Sequence, residues 1–427
     1  MSPVSPAEAR RVWARVAAQS FGGPAAQIAV MHRVVVDEQK WLSEERFLHA
    51  LNFCMLLPGP EAQQLATYIG WLMHGVRGGL VAGGLFVLPG FLSILALSWI
   101  YAAFGQVGWV EGAFFGVKAA VLAVVVEALL RIGKRVLKGR WQVALAAAAF
   151  LGISLLDVPF PLIVLGAGLL GALRPSGPGA PFSGPRPRLG ATLRTAALWG
   201  ALWLVPLAVL RLALGPDSVY VQVGTFFSKA AVVTFGGAYS VLAYVAQQAV
   251  ERFGWLQPGE MLQGLGLAET TPGPLIQVVQ FVGYLAAWRS PGALPPWLAG
   301  LCGAVLTTWV TFVPCFLWIF TGAPWVERLR GEPRLASALQ AISSAVVGAV
   351  LHLGLWSGLH TLFGALQVRS IGPGLAVELP VGSSFDGPAA LIALGAGLWL
   401  LVLHRGMAST LGLAVLAGLG LHFLGLR

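Results

Sequence analysis

Phe21-Gly22-Gly23-Pro24, then Trp41-Leu42, then Leu57-Pro58-Gly59-Pro60, is the stretch that decides how this chain is read. Displaced by 214 residues, Phe235-Gly236-Gly237, Trp255-Leu256 and Pro272-Gly273-Pro274 repeat it in the same order without a gap. From Arg15 to Gln64, fourteen of fifty positions are identical between the copies. Chance would give about four or five in a composition this rich in Ala, Gly, Leu and Val. The chain is an internal duplication.

The surroundings of the motif are apolar. Of 427 residues, 57% are hydrophobic and 10% charged, and the mean hydropathy is +0.78. A soluble domain carries about a quarter charged residues, so this is an integral membrane protein, all-α and polytopic. The alternating strands of about ten residues that a barrel needs are absent. Apolar runs predict thirteen spans, at 14–33, 48–73, 79–103, 110–132, 141–156, 158–173, 195–214, 221–246, 262–287, 297–321, 335–360, 386–403 and 407–424. The net charge of +10 sits in the loops between runs, the positive-inside pattern, and calls for a bilayer and not for nucleic acid. Arg10 and Arg11, with the clusters Arg131–Arg140, Arg174–Arg194 and Arg328–Arg334, place the N-terminus in the cytoplasm. The start does not read as a cleaved signal peptide. Cys54, Cys302 and Cys315 lack metal-ligand spacing and read as small core residues.

Residues 1–173 and 195–427 then form two repeats joined by a linker, 174–194, whose Pro, Gly and Arg content excludes a helix from Arg174 to Thr192. The first motif copy falls on spans one and two and the second on spans eight and nine, which predicts inverted topology. The charged stretch Asp37–Arg46 reads as a short amphipathic helix at the interface or a solvated loop, with Trp41 and Trp255 as aromatic anchors.

The FGG, Trp-Leu and PGP elements, in this order and once per half, resemble the chromate ion transporters in their long two-domain form. The resemblance implies a carrier of tetrahedral oxyanions in a bacterial-type inner membrane, working by chromate efflux. Sulfate is a second cargo by shared size and charge. No cofactor or metal is implied, and a homodimer is left open.

The residues give a physical reason for such a role. Gly22-Gly23-Pro24, Gly236-Gly237 and the two PGP elements interrupt helices at bilayer depth. Irregular backbone there must be buried in protein or line a wet cavity. A half-helix restarting after Pro58-Gly59-Pro60 or Pro272-Gly273-Pro274 aims amide N–H groups and the positive end of its dipole at the break, a seat for an oxyanion. Small residues could instead serve only close packing and kinking. Phe21 and Phe235 flank the breaks, and Gln63 and Gln277 hold the same repeat position, with Thr271 beside the second PGP.

Arg15 and Lys229 also share a repeat position, six residues before each Phe, and would match a dianion unless both merely snorkel to the surface. Lys118 is the only charge in Phe114–Val126 and should face a polar interior. Glu61 and Glu269 would repel an oxyanion and suit proton coupling, or in the bland alternative stabilise a helix start. Glu127 and Arg131, four apart, suit a structural pair. No HExxH, GxSxG or nucleotide loop is present, so an enzyme or a self-contained ATP-driven pump is disfavoured, and a passive anion channel is the stronger rival to a carrier.

Overall fold

A computed structural model describes residues 4–105, 107–174, 188–235, 238–326, 333–372 and 375–425. Those residues form sixteen α-helices and one two-stranded antiparallel sheet. Five helices are long and apolar enough to cross a membrane: Glu61–Phe104, Gly108–Val136, Leu189–Leu214, Pro296–Trp325 and Pro333–Leu362. The others are shorter or broken.

The longest, Glu61–Phe104 (α4), is two limbs. His74 and Gly75 leave helical geometry, Gly75 at φ 63°. A Cβ placed on Gly70 would lie 2.4 Å from the Gly78 carbonyl oxygen, and one on Gly83 would lie 2.2 Å from Thr67 Oγ1. Eight residues of straight helix span about 12 Å, so the limbs must fold back on each other. Their glycines let the backbones touch. The second copy repeats the device between Val278–Arg289 (α12) and Pro296–Gly322 (α13), where a Cβ on Gly303 would lie 2.3 Å from the Gly283 carbonyl.

The chain divides into two compact units. The first comprises Met1–Ala96, Ala172–Ala238 and Thr271–Leu339, and so draws on both halves of the sequence. It contains Pro6–Gln19 (α1), Gly23–His32 (α2), Glu44–Cys54 (α3), most of α4, Leu189–Leu214 (α8), Val219–Val233 (α9), α12 and α13. Trp199 fixes α8 to α13, its ring centroid 5.5 Å from that of Phe316 and 5.2 Å from that of Phe320.

The second unit comprises Leu97–Gly171, Tyr239–Thr270 and Gln340–Arg427. It is built on Gly108–Val136 (α5), against which the last helix, Met407–Phe423, lies backbone to backbone. A Cβ on Gly116 would sit 1.9 Å from the Ala414 carbonyl, and one on Gly418 would sit 2.1 Å from that of Gly112. Glu260–Thr270 (α11) meets the same helix at Gly266 and Val117.

The duplication survives in hydrogen bonds. A π-turn at Arg33–Glu38 brings Gln39 N–H to Val34 O (2.9 Å) and Trp41 N–H to Val35 O (2.9 Å). In the second copy a π-turn at Gln248–Arg252 brings Phe253 N–H to Gln248 O (3.0 Å) and Trp255 N–H to Ala249 O (2.8 Å). All four bonds fall on matching repeat positions.

Several expectations are corrected. Spans 14–33, 48–73, 221–246 and 262–287 are each two helices separated by the motif they contain. Asp37–Arg46 is not one helix: the π-turn ends at Glu38, Lys40 turns at φ 52°, and α3 starts only after Ser43, whose Oγ accepts from Arg46 N–H. Trp41 and Trp255 are buried, so neither anchors the protein to an interface. Helix α8 starts at Leu189, inside the expected linker, because the last proline of that segment is Pro187 and an apolar run follows directly; residues 175–187 lie outside the described ones. Cys302 is exposed, unlike the buried Cys54 and Cys315. The connection before Gly387 holds a β-hairpin, Leu366–Gly372 with Leu375–Pro380, which alternating residues such as Gln367, Val368 and Arg369 could have announced. Asp157 turns in the left-handed region at φ 47° between helices Arg140–Leu156 and Phe160–Ala172.

Candidate functional site

In the first copy, α1 ends at Gln19, where Ser20 Oγ bonds back to Val16 O at 2.6 Å. Gly22 and Gly23 then take φ 77° and 82°, and α2 restarts with Pro24 in its first turn. In the second copy α9 ends at Val233, and Thr234 Oγ1 bonds back to Ala230 O at 2.6 Å. Phe235 follows, while Gly236 and Gly237 lie outside the described residues. The PGP breaks are alike: Gly59 has φ 122° between α3 and α4, and Gly273 has φ 108° between α11 and the turn Leu275–Gln277 that opens α12. No side chain suits these dihedrals, which is why glycine stands there.

The two breaks of each type are tied crosswise within the first unit. Gly59 N–H donates to Thr234 O at 2.7 Å, and Gly273 N–H donates to Ser20 O at 2.8 Å. Each PGP glycine therefore binds the residue just before the FGG of the other copy, and Ser20 and Thr234 are themselves repeat equivalents. These two amides, expected to be free for a ligand, are used by the protein.

A shell of buried glutamines surrounds the clasp. Gln27 Nε2 donates to Gly273 O (2.6 Å), and Gln64 Nε2 to Pro58 O (2.7 Å). Gln63 Nε2 donates to Thr67 Oγ1 (3.0 Å), and Gln277 Nε2 to Gln280 Oε1 (2.5 Å), whose own Nε2 donates to Phe91 O (3.0 Å). All five glutamines are at most 1% exposed. The Oε1 atoms of Gln27, Gln63, Gln64 and Gln277 are buried without a donor among the described residues.

The charged candidates are elsewhere. Arg15 is 44% exposed and bonds Glu38 at 2.6 Å. Lys229 is exposed. Glu61 is half-buried at the first position of α4. Thr271 is buried, and Phe21 is 42% exposed. Lys118 and Glu269 belong to the second unit. Lys118 Nζ donates to His360 O at 3.1 Å, and its stem lies against Gly259, where a Cβ would come within 2.5 Å of Cε. Glu269 is 1% exposed; Oε1 accepts from Tyr239 O–H and Oε2 has no donor among the described residues. The Arg131–Glu127 pair, bonded as its spacing suggested, acts on this carboxyl through its charges.

Thus the first unit brings together Phe21–Pro24, Pro58–Pro60, Gln63, Phe235, Thr271–Pro274 and Gln277. Gln27, Gln64, Gln280, Ser20, Thr234 and Tyr239 escaped the sequence reading. Polar residues inside apolar runs, and a hydroxyl directly before each FGG, were the signals available. Among the described residues, no group of three or more His, Cys, Asp or Glu is disposed to hold a metal ion.

Comparison with known proteins is consistent across both halves. The family model described as chromate transporter matches residues 7–172 and 221–421. A chromate transport protein of Pseudomonas aeruginosa is 37% identical over 336 residues, 78% of this chain and 76% of that protein. Chromate transport proteins of Cupriavidus metallidurans (30% identical over 339 residues; 79% and 78%) and, described as probable, Synechococcus elongatus (30% over 355; 82% and 84%) are also similar. No solved structure matches the chain.

Proposed function

The chain belongs to the chromate transporter family, and from that premise we propose that it carries chromate across a bacterial inner membrane as a secondary active transporter. The observation that carries this reading is the crosswise clasp, Gly59 to Thr234 and Gly273 to Ser20. It joins interrupted helices from both sequence repeats, the arrangement on which alternating-access carriers build a midplane site.

In this mechanism the two repeats are inverted, with the N-terminus cytoplasmic, and the oxyanion rests where half-helices restart beyond the breaks. Positive dipole ends and the remaining N–H groups of the glutamine amides hold it. The clasp transmits movement of one copy to the other as the site changes sides. Arg15 and Lys229, both at the surface, draw anions toward the protein, an effect that salt screens. Lys118 balances charge during passage. Glu269, buried with one carboxyl oxygen bonded to Tyr239, couples export to the proton gradient by gaining and losing a proton; Glu61 is the other carboxylate available for that role.

The test is flux through the purified full-length chain in liposomes. Saturable chromate uptake with counterflow, accelerated by a proton gradient of one sign, is expected. Unitary currents would make the protein a channel, and no flux of chromate from well-folded protein would end the proposal.

A further inference from the structure

Four glutamines at the breaks present the wrong atoms for a dianion. Gln27 lies near the start of α2, Gln63 and Gln64 in the first turn of α4, and Gln277 in the turn opening α12, so each belongs to a half-helix that restarts after a break. An amide can be turned end for end, but here its partners fix it. Gln27 and Gln64 face backbone carbonyls, which only Nε2 can satisfy. Thr67 already spends its hydroxyl hydrogen on Gln63 O, so it can only accept from the Gln63 side chain. Gln280 spends its Nε2 on Phe91 O, so its Oε1 must accept from Gln277. Four carbonyl oxygens are thereby left buried, with no donor among the described residues.

An unmet buried acceptor costs about 1–3 kcal/mol. Four around one pair of breaks, none met among the described residues, call for a donor from water or from the cargo. A doubly charged oxyanion has none, since all its oxygens accept. We propose that the cargo occupies this site as the singly protonated tetrahedral oxyanion, hydrogen chromate in the case of chromate, whose O–H serves a glutamine Oε1 while its other oxygens take amide N–H groups. The inference rests on the carrier reading above and adds the species carried. The proton rides on the substrate and is distinct from any proton on Glu269. Among the described residues of the first unit, ionisable side chains close to the breaks are Glu61 at the start of α4, Cys54 within its electrostatic range, and Cys315, whose Sγ would lie 3.0 Å from a Cβ on Gly59; in sequence Glu269 lies three residues before Pro272.

Initial chromate rates in proteoliposomes, at equal pH on both faces, separate the possibilities. KM for total chromate should be flat at acid pH and rise about tenfold per pH unit once chromate loses its second proton, with the maximal rate little changed. Glu61→Gln and Glu269→Gln should keep that KM profile, because the titrating proton is not theirs. Selenate, which has the same shape but stays doubly charged throughout, should not be carried. Gln63→Met should raise the chromate KM without lowering the melting temperature of the empty protein, since it removes an unsatisfied oxygen and only one bond to Thr67. Chromate flux with a pH-independent KM, or equal selenate flux, would overturn the inference while leaving the carrier intact. A requirement for sodium would assign the oxygens to a cation and also overturn it. Absence of chromate flux at every pH would instead end the carrier reading itself.

Discussion

Replacing Gly59 by alanine attacks the clasp at its narrowest point. The backbone there sits at φ 122°, which L-residues rarely adopt, and the new methyl would lie 2.8 Å from Gln64 Nε2 and 3.0 Å from Cys315 Sγ. Holding a side chain in that region costs about 1–3 kcal/mol. If the chain relaxes instead, it moves Gly59 N–H from Thr234 O and loses a bond worth about 0.5–1.5 kcal/mol. The expected loss thus lies between about 0.5 and 3 kcal/mol, the span of those two alternatives. Gly273→Ala should cost at least as much, because its methyl would stand 3.0 Å from the Gly90 Cα, which is backbone and cannot rotate away. Gly84→Ala is the control, lying inside α4 with nothing within 4 Å, and there alanine should be neutral or stabilising by up to about 1 kcal/mol. Thermal unfolding of the three purified variants in one detergent reads the difference. Equal melting temperatures for Gly59→Ala and Gly84→Ala would refute the claim that the breaks are tied.

Glu269→Gln should abolish the response of chromate flux to an imposed proton gradient while Tyr239 keeps an acceptor; if the response persists there and vanishes in Glu61→Gln, the coupling carboxylate is Glu61. Lys118→Ala should stop oxyanion flux without impairing membrane insertion, and wild-type flux would remove Lys118 from charge balance. Burial raises the Glu251 carboxyl pKa, a Gln247 hydrogen bond opposes that, and the charges of Glu378 and Asp157 add to the rise. Its folded-state pKa therefore exceeds the unfolded one, so stability is highest below the unfolded value and falls as pH climbs through the folded one. Glu251→Gln should flatten this fall in pH-dependent melting curves, and an unchanged slope would show that Glu251 does not cause it.

The breaks were legible because glycine and proline act on their own backbone: positive φ at Gly22, Gly59 and Gly273 follows from local sterics. Their partners were not legible, since Ser20 and Thr234 contribute backbone carbonyls, and any residue has one. The repeat nevertheless carried a hint, because both positions also hold a hydroxyl that bonds four residues back. Trp41 misled for a related reason. Composition made it an interfacial anchor, whereas the π-turn draws its N–H to Val35 and folds it inward against Trp13, ring centroids 6.4 Å apart. Hydropathy likewise merged half-helices into single spans at all four motif sites, since a break of a few residues barely changes a long average.

The copies share a frame and differ in chemistry, and a carrier needs both. Clasp and π-turns occur twice, at matched positions, so the scaffold can be read the same way from either copy. The polar groups do not: Glu61 and Gln64 correspond to Leu275 and Val278 across the repeat, while Glu269 and Tyr239 correspond to Met55 and Ala25. A fully symmetric pair of breaks would offer two equivalent seats and no preference for when a proton binds. Under the proposed coupling, one buried carboxyl beside one tyrosine, in one copy only, would give the proton a single address. Exchanging the pair, with Glu269→Met and Tyr239→Ala in one copy and Met55→Glu and Ala25→Tyr in the other, should leave chromate binding near wild type if the frame is shared, and should reverse the sign of the gradient that drives flux if the carboxyl sets direction. Unchanged direction in a folded, chromate-binding variant would show that direction is set outside this pair.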